Sequence, residues 1–121
     1  MPARRLVVKL TAGADAPERA AQALTVAATA VGSDVDVSLW LTGESAWFAL
    51  PGRAGEVQLP HSPPFGDLLE AVLTGGDVVL CTQCAARRGI GADDVLPGVR
   101  IAGAQSFVEQ VLDDDTRALV Y

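Results

Sequence analysis

The sequence predicts an α/β fold, a three-layer sandwich with a mostly parallel, five-stranded sheet between helices. Three observations lead there. Short runs rich in Val, Ile and Leu alternate with stretches of helical spacing along the whole chain. Glycine, proline or aspartate punctuates most boundaries between them. The run Val78-Val79-Leu80 is apolar at consecutive positions, as strands buried on both faces are. A single domain over residues 1–121 is expected, because a chain of this length fits one core. No repeat, low-complexity tract or linker divides it.

The first strand is Leu6-Val7-Val8-Lys9-Leu10, followed by a loop holding Gly13. Asp15 is expected to cap the next helix, with Pro17 in its first turn and Glu18 three residues on. Ala20, Leu24, Ala27, Ala28 and Val31 form the apolar stripe of that helix, and Gly32 ends it. Val35, Val37, Leu39 and Leu41 alternate with Asp36, Ser38, Trp40 and Thr42, which reads as a second strand. Residues 42–50, with Trp47 and Phe48, suit one helical turn. Residues 51–64 form a long loop rich in proline and glycine that carries the only histidine, His61. Leu68, Leu69, Val72 and Leu73 mark a second helix, stopped by Gly75-Gly76. The third strand, Val78 to Leu80, runs into Cys81. Asp93 to Leu96 is a short helical candidate, and Val99 to Ala102 a fourth strand. The next helix spans Gln105 to Leu112, with Phe107, Val108, Val111 and Leu112 as its face. Arg117 to Tyr121 gives the last strand.

Net charge is −6 and the isoelectric point is near 4.5. Binding to nucleic acid or to an anionic membrane needs a basic patch, so neither is expected as a partner. Lys9 is the only lysine, a bias toward arginine that reads as compositional. The N-terminus lacks a signal-peptide core, and the apolar runs are too short to span a bilayer. A cytoplasmic location follows. Thiols stay reduced there, which points a Cys-x-x-Cys pair toward catalysis, redox or metal binding.

The two cysteines of the chain, Cys81 and Cys84, share one turn at the carboxyl end of a strand. Open α/β sheets gather their chemistry at that end. Four readings stand. Cys81 could be a nucleophile that carries sulfur as a persulfide. The pair could cycle between dithiol and disulfide. It could be half of a zinc site, although only His61 and scattered carboxylates are available to complete one. Both thiols could also be inert and buried. Arg87 and Arg88 follow and could favour a thiolate electrostatically, or they could line a solvated helix face. His61 reads as an exposed loop residue. Trp47 and Phe48 suit a pocket, a subunit contact or the core. No glycine-rich phosphate loop and no Ser/His/Asp spacing is present. No cofactor and no metal is expected.

The segment Cys81-x-x-Cys84-x-x-Arg87-Arg88-Gly89-Ile90, set after an apolar strand, resembles the signature of the DsrE/DsrF-like family of DsrE- and TusD-like sulfur-relay proteins. The likeness extends to Asp15-Ala16-Pro17-Glu18-Arg19-Ala20, Leu41-Thr42-Gly43-Glu44, Val99-Arg100-Ile101-Ala102-Gly103 and the closing Arg117-Ala118-Leu119-Val120-Tyr121. It implies an α/β sandwich that assembles as a homotrimer or homohexamer. It also implies sulfane sulfur carried as a persulfide on Cys81, eight residues before Gly89. Sulfur donor and acceptor proteins, or small thiols, would be the partners. Cys84 departs from the relay members and is similar to a Cys-x-x-Cys branch, where a second thiol could resolve the persulfide. Two other functions remain open: a non-enzymatic oligomeric module that binds a small ligand or protein, and a dithiol/disulfide redox protein using Cys81 and Cys84.

Overall fold

A computed structural model of the chain describes residues 4–121. Five strands form one sheet: β1 (Arg5–Leu10), β2 (Asp36–Leu41), β3 (Asp77–Cys81), β4 (Val99–Ala102) and β5 (Thr116–Val120). Their order is β4-β3-β2-β1-β5, and every pairing is parallel. The sheet is therefore wholly parallel rather than mostly so. Four helices connect the strands: α1 (Pro17–Gly32), α2 (Phe65–Gly75), α3 (Thr82–Arg87) and α4 (Ala104–Val111). Among the described residues, no helix is long and apolar enough to cross a membrane.

The two faces of the sheet are covered unequally. Val8, Leu10, Leu39, Leu41, Val78 and Leu80 project to one side, where α1 and α2 bury them. Cys84 and Ala85 of α3 join the same core. Each fully buried aliphatic side chain contributes about 1.5–3 kcal/mol, so this layer dominates stability. On the other side Val7, Trp40 and Val79 are covered by α4 alone, through Phe107 and Val111. The Trp40 indole N–H donates to Gln110 Oε1 at 2.9 Å, which satisfies the one polar group of a side chain that is otherwise buried.

The chain order explains the asymmetry. The steps from β1 to β4 move one strand at a time toward one edge, and their helices share a face, as right-handed crossovers require. The step from β4 to β5 returns across the sheet to the opposite edge, so its helix lies on the other face.

Several local expectations are corrected. Asp15 does not cap α1; Ala16 occupies that position without a side-chain bond. Asp15 Oδ1 instead accepts the Gly13 N–H at 2.8 Å, closing its own loop as aspartate does in turns. Residues 42–50 hold more than one turn, a 3-10 helix over Gly43–Ala49. The long loop contains a further 3-10 turn at Ala54–Glu56. Asp93 to Leu96 forms turns rather than a helix. Of the expected face of α4, Phe107 and Val111 meet the sheet, while Val108 and Leu112 stay exposed, Leu112 at 77%.

Candidate functional site

The exits of β3 and β4 diverge. β3 leads into α3 on the heavily covered face, and β4 leads into α4 on the other. The two strands are neighbours, and Cys81 is the register partner of Ala102. A crevice at the carboxyl ends of such diverging strands is where open α/β sheets bind ligands. Cys81 is the last residue of β3 and the cap residue of α3, with extended backbone (φ −62°, ψ 129°). It is partly exposed, while Cys84, in the first turn of α3, is 8% exposed. No disulfide joins them.

The surroundings of Cys81 act on its charge. Burial pushes the thiol up. The backbone N–H and the thiol of Cys84, the backbone N–H of Gln83 and the charge of Lys9 outweigh burial, so Cys81 ionises below its ordinary value. Cys84 is itself held. Its Sγ accepts the Gly43 N–H at 3.2 Å. The sulfur that Gly43 N–H holds is thus one of the groups that lower Cys81.

Gly43 is the residue this approach requires. It has φ +53°, a region that disfavours side chains. A Cβ there would lie 2.6 Å from the Thr11 carbonyl oxygen. The turn that presents Gly43 is built by Ser45 and Thr42. Ser45 Oγ lies 2.7 Å from the Leu10 carbonyl and accepts the Thr42 N–H at 2.9 Å. Thr42 Oγ1 also donates to the Leu10 carbonyl, at 2.9 Å.

The arginines take other partners. Arg88 pairs with Glu44 at 2.8 Å and donates to the Cys84 carbonyl at 3.1 Å. It ties the end of α3 to the Gly43–Ala49 turn and so keeps Gly43 beside Cys84. Arg87 is exposed and forms no ion pair among the described residues. The cation that acts on Cys81 is Lys9. Two arginines lie over the Trp47 ring, Arg53 at 4.7 Å and Arg88 at 6.0 Å from its centroid. Phe48 is a core residue that meets Phe65 edge to face at 6.0 Å. His61 is exposed, with φ +62°, in the groove beside α1 lined by Glu18, Gln22 and Tyr121. Sequence reasoning had passed over Lys9 and the donor role of Gly43. The signal for Lys9 was a lone charge inside an apolar strand.

These features define a class: a wholly parallel α/β sandwich with a thiol at its topological switch point. The chain belongs to the DsrE/DsrF-like family, which it matches over residues 4–118. It is 29% identical over 108 residues to the uncharacterized protein MJ0760 of Methanocaldococcus jannaschii. That match takes in 88% of this chain and 39% of the relative, so the chain spans well under half of that relative's length. Among solved structures it is similar to the YchN protein from E. coli, with a TM-score of 0.79 at 21% identity, covering 99% of this chain and 100% of that one. It is also similar to MTH1491 from Methanobacterium thermoautotrophicum, a protein of unknown function, with a TM-score of 0.68 at 15% identity, covering 98% and 99%. At these identities the two structures establish the fold.

Proposed function

We propose that this chain handles sulfane sulfur, carried as a persulfide on Cys81. One observation supports the reading most. A partly exposed thiol caps α3 at the switch point, with N–H donors and a second thiol favouring its ionised form. Family membership adds a sulfur-relay setting.

The thiolate of Cys81 attacks the outer sulfur of a donor persulfide, R–S–SH. The new Sγ–S bond forms as the donor S–S bond breaks, and R–S⁻ leaves with the electron pair. No external oxidant or reductant is needed. Cys84 then has two roles. As a thiol it stabilises the neighbouring anion. As a thiolate it attacks Cys81 Sγ, forming a Cys81–Cys84 disulfide and releasing HS⁻; a small thiol restores the pair. Arg88 keeps α3 in place and Arg87 adds positive potential at the rim. Sulfur donor and acceptor proteins or small thiols are the partners. A homotrimer or homohexamer in the cytoplasm is the expected setting.

Mass spectrometry after incubation with inorganic polysulfide tests this. Wild type should gain sulfur on Cys81, and Cys84→Ser should retain it longer. Equal labelling of wild type and Cys81→Ser, or none in either, would end the proposal. The dithiol reading is favoured by two reduced thiols in one turn, with Cys84 acting to lower Cys81. A measurable Cys81–Cys84 reduction potential without sulfur uptake would select it. Slow alkylation of both thiols at neutral pH would leave a binding module.

A further inference from the structure

Lys9 stands where a lone cation is costly. β1 is an interior strand, flanked by β2 and β5. Its other central residues are apolar and fully buried. Lys9, Trp40 and Val79 are in register across three strands, and Cys81 lies two residues beyond Val79. Strand alternation puts Lys9, Trp40 and Val79 on one face. Cys81, which packs toward the α1/α2 core at the end of β3, is still close enough for the Lys9 charge to act on it. Lys9 is half-buried, and its ammonium lies 5.2 Å from the centroid of the Phe107 ring. That ring meets Trp40 edge to face at 5.3 Å. The ion pairs among the described residues all use arginine, and none engages Lys9. Acids are not scarce, since 15 of them face 9 cations. On the same face, the Asp77 carboxylate is taken by Arg100 at 2.8 Å, at the far end of β3.

Lys9 acts on the Cys81 thiol but has no carboxylate partner among the described residues, and one aromatic ring compensates a half-buried ammonium poorly. Its position suits an anion that arrives from outside. We infer that Lys9 binds the negative charge of the incoming sulfur donor, and that the donor is a small anionic sulfane-sulfur compound. The donor's identity rests on Cys81 being the persulfide-bearing thiol; the anion site does not.

The spacing is compatible. Two strand separations and two residues of rise put the Cα atoms of Lys9 and Cys81 roughly 12 Å apart. The lysine side chain spans part of that distance, and S–S bonds of about 2 Å can span the rest. Charge placement is also consistent through the reaction. When Sγ bonds the nearer sulfur and the donor S–S bond breaks, the leaving sulfur carries the electron pair. That charge then lies toward Lys9.

Two reagents read the site without any sulfur chemistry. Iodoacetate is anionic and iodoacetamide neutral, and both alkylate the thiolate, so the ratio of their rates at Cys81 cancels ionisation. The full chain carrying Lys9→Met should show a ratio about fivefold lower, the weight of a unit-charge pair roughly 8 Å apart at an effective dielectric near 40. Lys9→Arg should restore it. In the wild type, added salt should slow iodoacetate more than iodoacetamide, since screening Lys9 weakens the thiolate for both reagents and the anion attraction for one, a readout that needs no variant to fold. An unchanged ratio in Lys9→Met, or no salt effect on the ratio in the wild type, overturns the inference. The donor class is tested with inorganic polysulfide against a neutral dialkyl trisulfide. The trisulfide delivers sulfane sulfur when Cys81 attacks its central sulfur, giving the mixed trisulfide Sγ–S–S–R and expelling R–S⁻. Lys9→Met should lose several-fold more uptake from polysulfide than from the trisulfide. Equal loss from both overturns the donor class. No uptake by the wild type from either removes the sulfur reading, and a fallen alkylation ratio still upholds the anion site.

Discussion

Replacing Gly43 by alanine tests the geometry that links β1, the 3-10 turn and Cys84. Two costs are separable. The backbone sits at φ +53°, where an L side chain costs about 1–2 kcal/mol. The new Cβ would also lie 2.6 Å from the Thr11 carbonyl oxygen. That carbonyl is backbone, and Thr11 is held by two bonds to β5's end. Its N–H and its hydroxyl both donate to the Tyr121 carbonyl, at 2.9 and 2.7 Å. Overpacking against such a neighbour adds about 1–3 kcal/mol. Gly52→Ala is the control. Its φ is +78°, yet nothing lies within 4 Å of its Cβ position, so it carries the backbone cost alone. Urea unfolding in the presence of reductant should place Gly43→Ala about 1–3 kcal/mol below Gly52→Ala. In a domain of this size that is a difference of roughly 4–12 °C in Tm. A second readout is chemical. Gly43 N–H is the donor to Cys84 Sγ, and Cys84 in turn lowers the Cys81 thiol, so alkylation of Cys81 should slow in Gly43→Ala and not in Gly52→Ala. Equal stability of the two variants would refute the close approach, and unchanged Cys81 reactivity would refute the link through Cys84.

Two further outcomes follow from the same structure. Burial raises the Cys81 thiol, but the Cys84 N–H and thiol, the Gln83 N–H and Lys9 together lower it. Between its folded value and the ordinary thiol value near 8.5, the unfolded chain holds a proton that the folded chain has released. Stability relative to Cys81→Ser should therefore rise with pH through that window and be lost as pH falls through the folded value; urea unfolding across pH checks it, and a gain toward acid pH would contradict it. Gln110→Ala should cost about 1–3 kcal/mol by orphaning the Trp40 indole N–H, which it accepts at 2.9 Å; urea unfolding should detect the loss, whereas substitution of exposed Glu109 should be nearly silent.

The sheet was legible because its signal is local. Val78-Val79-Leu80 and Leu6-Val7-Val8 are apolar at consecutive positions, and only a strand covered on both faces needs that. The helical stripes of α1 and α2 are equally direct, since spacing alone sets them. α4 shows the limit. Its four apolar residues fit one stripe, yet Val108 and Leu112 are exposed, because α4 is the lone helix over its face and too short to cover it. The cysteine turn could be placed from sequence, but not what touches it. Arg88 and Glu44 are 44 residues apart, and Gly43 is 41 from Cys84. Pairs at such separation are decided by the register of β2 and β3, which no local pattern encodes. Asp15 failed for the opposite reason: two local bonds competed, and the Gly13 N–H won over the helix terminus.

The same turn gives its two thiols different work. Cys81 ends the strand, so its side chain lies at the sheet rim, partly open, with the free N–H groups of the first turn of α3 directed at it. Cys84 falls in that first turn, and the turn packs onto the α1/α2 layer; its sulfur is buried and already accepts the Gly43 N–H. From there it acts on Cys81, helping to lower that thiol. On the proposed function, the outer thiol is the one that meets a partner, and the inner thiol responds to what the outer one carries. Exchange of the two positions would place the reactive sulfur under Gly43 and the donor in solvent. An accessible anion with a buried donor behind it needs the residues in the order this chain has them.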